Sequence, residues 1–293
     1  MSKSASTEMQ QHARTGLVTP SDVGMRVAGG CTTVVLVLMS VSGTAGLAVG
    51  GVYGSETAWA SAAFRGGDLV SLAVVPVLLV AMLSTLRGSR AAAAVWGGLL
   101  AYDVYNYGYY VVGARFNDLF LLHIVVLALS GWGLVFLLTS VRSGLVSPSD
   151  RRAAGIFAPL LLGSVALVLG GLWVAAIARE AVTGALPTGP APASGLHTVY
   201  AVDLTLFVSS LVVATMLAWR RTAYGLVAVP VMCVAGATYL VNLMVASFFQ
   251  ARAGVDVAAF SPGTLGLTML FVAASATSLR LLHRLAPRLG DAS

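Results

Sequence analysis

The sequence predicts an all-α, polytopic membrane protein: a bundle of eight transmembrane helices, divisible into two parallel four-helix repeats. Three observations predict it. The 293 residues are 58% hydrophobic and only 10% charged, against roughly 25% charged residues in an average soluble domain. Several apolar runs exceed about 18 residues, the length that reads as a membrane span. Longer connections alternate with tight basic turns, in the same order in each half of the chain.

Residues 1–25 are polar and rich in Ser, Thr and Gln. They lack the apolar core of a cleavable signal and read as a flexible cytoplasmic tail, which makes the first span, 27–52, an uncleaved anchor. The second span, 68–86, opens on Asp68-Leu69-Val70 and closes on the basic turn Arg87-Gly88-Ser89-Arg90. The third covers 91–113 and the fourth 119–141, with Arg115, Asn117 and Asp118 in a compact turn between them that an Arg–Asp contact would hold. After the fifth, 153–178, comes the longest connection, whose Pro187, Pro190 and Pro192 predict an extended segment. The sixth, 198–219, opens near His197 and Asp203 and ends at Arg220-Arg221. The seventh and eighth cover 223–249 and 264–283, ahead of a short cytoplasmic tail at 286–293. The halves are thus 26–141 and 142–285. Asp68 aligns with Asp203, Asn106 with Asn242 and Phe116 with Phe260. That is the pattern of parallel repeats related by an axis along the membrane normal.

Basic residues set the expected orientation. With both termini inside, the cytoplasmic side holds thirteen Lys and Arg, and the outer side only Arg65, Arg115, Arg179 and Arg252. The Ala/Val/Gly bias is that of a GC-rich bacterial genome, so the expected location is a bacterial cell membrane, with lipid as the surrounding partner. The net charge of +6 does not point to nucleic acid, because the arginines are scattered in short loops without a stripe or interleaved aromatics. Cys31 and Cys233 fall in apolar runs and form no CxxC, which argues against a disulfide and against thiol redox chemistry. Lys3 is the only lysine, so Schiff-base chemistry in the spans is excluded. No phosphate loop, GxSxG or paired Glu/His signature is present.

The candidate site centres on Ala101–Tyr110 in the third span, which holds five of the nine tyrosines together with Asp103 and Asn106. At about 100° per residue, Tyr109, Tyr102, Asn106, Tyr110, Asp103 and Tyr107 share one broad face, with Tyr105 at its edge. Such a face points at protein or water rather than lipid. Asp103 lies about 15 Å inside the membrane by helical rise. Two readings stand: a ligand, ion or proton site in a hydrated cavity, or a structural carboxyl held by tyrosine hydroxyls of a neighbouring span. Asn106 and Asn242 sit at matching depth and read as interhelical hydrogen-bonding glue, with Tyr239 on the face of Asn242. Asp68 and Asp203 are either helix caps or groups a turn or more inside their helices. His123 and His197 lie near the outer face. Without an HxxxH, HExxH or Cys/His cluster they read as interfacial residues rather than metal or haem ligands.

The expected function is binding or transport of a small molecule or lipid in an outward-opening polar cavity. Its ligand-binding residues are Asp103, Tyr102, Asn106, Tyr110, Asp68, Asp203, His123, Tyr239 and Asn242. Two other readings stand beside it. One is a structural, assembly or sensory subunit without chemistry; the other is a membrane-embedded hydrolase or lipid-modifying enzyme using Asp68, Asp203, His123 or His197. The sequence names no cofactor and no oligomeric state.

Overall fold

The computed structural model describes residues 20–141, 155–185 and 189–284. Most of the expected N-terminal tail, the tail at 286–293 and the boundary between the halves at 142 lie outside the described residues. Among them are eight membrane-length helices and no strand. They are α1 (Pro20–Ala48), α2 (Ala58–Leu86), α3 (Arg90–Gly113), α4 (Phe120–Val141), α5 (Phe157–Thr183), α6 (Ala193–Trp219), α7 (Ala223–Arg252) and α8 (Pro262–Arg284). Seven are long and apolar enough to cross a membrane by composition alone. The exception is α3, whose polar residues lower its hydropathy. Its 24 residues still rise about 36 Å, enough for the bilayer core. It also packs against α2, α4, α6, α7 and α8, so its polar groups meet protein rather than lipid. The chain is therefore a polytopic helical membrane bundle.

Several boundaries differ from expectation. Residues 20–25, expected as tail, already belong to α1. The second span begins at Ala58 rather than Asp68, with Thr57 capping it by accepting from the Ala60 N–H at 3.2 Å. Arg65-Gly66-Gly67 lies ahead of the expected start of the second span, yet α2 runs through it. The glycines serve interhelical contact, since a Cβ on Gly66 would sit 2.6 Å from the Ala246 Cα of α7. The sixth span likewise begins at Ala193 rather than 198. Asp68 and Asp203 thus each lie ten residues inside their helices (58 to 68, 193 to 203), so neither is a cap. In the α3–α4 turn, Arg115 does not pair with Asp118. Its Nη1 donates to the Ser55 carbonyl at 3.0 Å, and its backbone N–H donates to Glu56 Oε1 at 2.5 Å.

In the first four helices α1 packs on α2 and α4, and α3 on α2 and α4, closing a ring around Leu36, Val74, Trp96, Leu100, Val126 and Leu137. In the last four, α5 packs on α6 and α8, and α7 on α6 and α8, around Leu162, Val208, Leu211, Val229 and Phe271. Between the rings α3 meets α7, α2 meets α7 and α3 meets α6. The outer faces expose Val80, Trp132, Leu167 and Val168, as a lipid-facing surface should. Below, the end bearing the α1–α2, α3–α4, α5–α6 and α7–α8 connections is called the upper end.

Candidate functional site

The polar face of α3 is divided among its neighbours. Tyr102, Tyr107 and Tyr110 pack into the core of the first ring, whereas Tyr105 packs into the core of the second and Tyr109 touches both. Asn106 points to α2 and α7: its Nδ2 donates to Ser71 Oγ at 3.2 Å, and its Oδ1 accepts from Asn242 Nδ2 at 3.4 Å. Asp103 shares its helical face with Leu100, Tyr107 and Tyr110, and is sealed inside the first ring with 0% exposure. A helix enclosed on every side turns all of its faces into buried ones, which one broad face in projection does not convey.

Two carboxylates flank the contact between the rings. In the first, Tyr53 from the α1–α2 connection donates to Asp68 Oδ2 at 2.8 Å. The Tyr110 hydroxyl lies 2.9 Å from Asp68 Oδ1 and 2.7 Å from the Phe64 carbonyl, its single proton shared between them. In the second, Asp203 Oδ1 accepts from the Tyr105 hydroxyl at 2.7 Å and Oδ2 from Trp173 Nε1 at 2.7 Å. Asp203 opens a π-helical turn, Asp203–Val208, within α6; such bulges re-aim side chains and recur at functional sites.

Between these two nodes, toward the upper end, a pocket of ≈120 Å³ lies among α2, α3, α6 and α7. Its aromatic wall is Trp59, Phe64, Tyr105, Tyr109, Tyr110 and Tyr239. Its amides are Asn106, Asn242 and Gln250, with Gly67 beneath them. A Cβ on Gly67 would come 2.8 Å from the Tyr110 hydroxyl and 3.4 Å from Asn106 Oδ1, so only glycine leaves this floor open. Tyr105 stands edge-on to Tyr239 with centroids 4.8 Å apart, and Phe207 closes behind them. Each phenol has one proton, and those of Tyr105 and Tyr110 are committed to Asp203 and to Asp68 or Phe64. Toward the pocket these two hydroxyls can only accept. Asn242 Oδ1 is buried and has no hydrogen-bond partner among the described residues.

Of the residues expected at the site, Asn106, Tyr110, Tyr239 and Asn242 line this pocket. Asp68 and Asp203 stand directly behind it, reached through Tyr110 and Tyr105. Asp103 and Tyr102 do not line it. Asp103 points into the first ring, and Tyr102 borders a separate fissure of ≈80 Å³ beside Leu134 and Leu206. Nor do tyrosines of a neighbouring span hold Asp103, since neither of its oxygens has a hydrogen-bond partner among the described residues. His123 is not interfacial but fully buried. Its Nε2 is 3.0 Å from Ser42 Oγ and its ring 4.6 Å from that of Tyr110. His197 pairs instead with Glu180 at 2.7 Å in the second half. Asp68 and His123 therefore flank Tyr110, but Asp203 and His197 do not join them. Trp59, Gln250, Tyr53 and Trp173 were missed. The first two lay outside the expected spans, and the last two reach their carboxylates from elsewhere in the chain. The chain matches no known protein family, no curated protein and no solved structure.

Proposed function

We propose that this multi-pass membrane protein binds a compact amine-bearing molecule in the pocket between its two four-helix halves. The observation that carries this reading is the polarity of the lining. The hydroxyl protons of Tyr105 and Tyr110 are committed to other acceptors, Asn242 Oδ1 is buried with no partner among the described residues, and a carboxylate backs each tyrosine. Donors, and above all ammonium donors, complement such a wall. Aromatic faces add attraction for a cation within about 6 Å of a ring. The volume of ≈120 Å³ limits the bound part to a few heavy atoms, since a cavity of about 150 Å³ takes one benzene. With the basic end of the bundle cytoplasmic, the pocket opens toward the outside of a bacterial cell membrane, and the ligand reaches it from there.

The test is a thermal-shift comparison on the purified protein with tert-butylammonium and its neutral counterpart tert-butanol. The ammonium raises Tm and the alcohol does not. Asn242→Leu and Tyr239→Leu each weaken the ammonium response, the former by at least about tenfold, the worth of a hydrogen bond to a charged group. Equal responses to the two compounds, or an undiminished response in both variants, would defeat the reading.

A further inference from the structure

A second cavity lies at the opposite end of the molecule, wholly within the last four helices. It is a groove of ≈560 Å³ between the start of α5, the α6–α7 turn and the final turns of α8. Arg221, Arg280 and Arg284 line it, together with the hydroxyl residues Thr222, Thr277 and Ser278. Deeper in, its walls are apolar, formed by Phe157, Leu226, Val229 and Leu282. Among the described residues no carboxylate lines the groove, and none of the three arginines makes a salt bridge.

The turn that presents Arg221 is rigidly built. Its N–H donates to the Ala218 carbonyl at 2.9 Å, and the Thr222 N–H to the Leu217 carbonyl at 3.1 Å. Thr222 Oγ1 caps α7 by accepting from the Gly225 N–H at 3.1 Å. At φ +51°, Arg221 is the only non-glycine residue with positive φ among the described residues. A helix-ending left-handed position is where glycine is favoured, so an arginine here holds a costly backbone conformation at the rim of a cationic groove.

We infer that this groove binds an anionic phospholipid, with the phosphate at the three arginines and the start of an acyl chain along the apolar wall. Charge complementarity selects the occupant: three cations face one opening, with no carboxylate beside them among the described residues. The position selects its source, because the groove lies where the spans end and the bilayer presents phosphate headgroups. Basic pockets between transmembrane helices at the cytoplasmic face bind anionic headgroups on this principle. Positive-inside retention alone explains basic residues at this end, but not their convergence on a groove with an aliphatic interior.

The experiment titrates the detergent-purified full chain with phosphatidylglycerol, with phosphatidylcholine of the same chains, and with inorganic phosphate, reading Tm. Phosphatidylglycerol raises Tm, whereas phosphatidylcholine and free phosphate do not. At about fivefold per basic residue near an anionic headgroup, the triple variant R221Q/R280Q/R284Q binds phosphatidylglycerol about a hundredfold more weakly. R221G keeps the backbone conformation, so its lipid-free Tm is equal or higher while its lipid response falls about fivefold. Arg87→Gln, at the same end but outside the groove, leaves the response intact. An unchanged response in the triple variant, a matching response to phosphatidylcholine, or an equal loss on Arg87→Gln would each overturn the inference. A response to inorganic phosphate equal to that of the lipid would assign the site to a free anion instead and likewise overturn it. The Asn242→Leu variant of the upper pocket retains the lipid response, which keeps this outcome separate from the proposed function.

Discussion

Asp103 and Asp203 are both sealed from solvent at 0% exposure, yet the protein holds them differently. Asp203 has a donor on each oxygen, Tyr105 and Trp173, while Asp103 has none among the described residues. Removing a partnered carboxylate strands its donors; removing an unpartnered one strands nothing and abolishes a desolvation cost. Asp203→Leu should therefore lower stability by about 1–3 kcal/mol, read as a fall in Tm. Asp103→Leu should leave Tm unchanged or raise it. A clear fall in Tm for Asp103→Leu would show that the carboxyl is structurally satisfied. If the tert-butylammonium response is lost while Tm is kept, the carboxyl is retained for binding at a cost in stability. Ser130 likewise has a buried hydroxyl without a partner among the described residues.

At the scale of the element, α2 decides how closely the two rings meet. Gly66 lets its backbone touch the backbone of α7, and Gly67 leaves the pocket floor open. In a membrane, helices gain little from burying apolar surface against one another, so close backbone approach and packing supply much of the association. Gly66→Ala drives a methyl to within 2.6 Å of the Ala246 Cα. Two backbones must separate, and the expected loss is about 1–3 kcal/mol of stability, visible in Tm. Gly67→Ala places its methyl against a side-chain atom, the Tyr110 hydroxyl, rather than against a backbone. It should cost less stability and chiefly close the pocket, seen as loss of the tert-butylammonium response. If the two variants were equally destabilised and both bound the ammonium, the division of labour between these glycines would be wrong. These glycines also explain what the sequence hid. Apolar runs made the spans legible, and α3 was recognisable from its tyrosines. Composition cannot separate Gly-Gly as a loop from Gly-Gly as a contact, so α2 looked ten residues shorter than it is and Trp59 fell outside the site. The partition of α3 among several neighbours was equally hidden, because a helical projection shows which residues share a side but not how many helices surround it.

At the scale of the whole molecule, each half packs its first helix on its second and fourth and its third on its second and fourth; between the rings α2 packs on α7 as α3 does on α6, while α3 also packs on α8 and α5 on α7. We propose that the halves are parallel repeats about an axis along the membrane normal. Asn106 and Asn242, aligned in sequence, touch each other as residues near such an axis must. Two repeats of four spans bring the chain back to its starting side, so both ends share one compartment. The described arginines then separate sharply. Arg26, Arg87, Arg90, Arg220, Arg221, Arg280 and Arg284 fall toward the lower end, against Arg65, Arg115, Arg179 and Arg252 toward the upper. Short loops with excess Arg remain cytoplasmic, and on that rule we propose that the pocket of the proposed function faces outward and the arginine groove the cytoplasmic leaflet. A reporter fused after Arg221 should be active only if it folds in the cytoplasm, and an epitope tag within 184–195 should be labelled on intact cells. The opposite pattern would invert the molecule. It would place the arginine groove at the outer leaflet and require the amine ligand to arrive from the cytoplasm, so this measurement fixes which side each titration must be offered from.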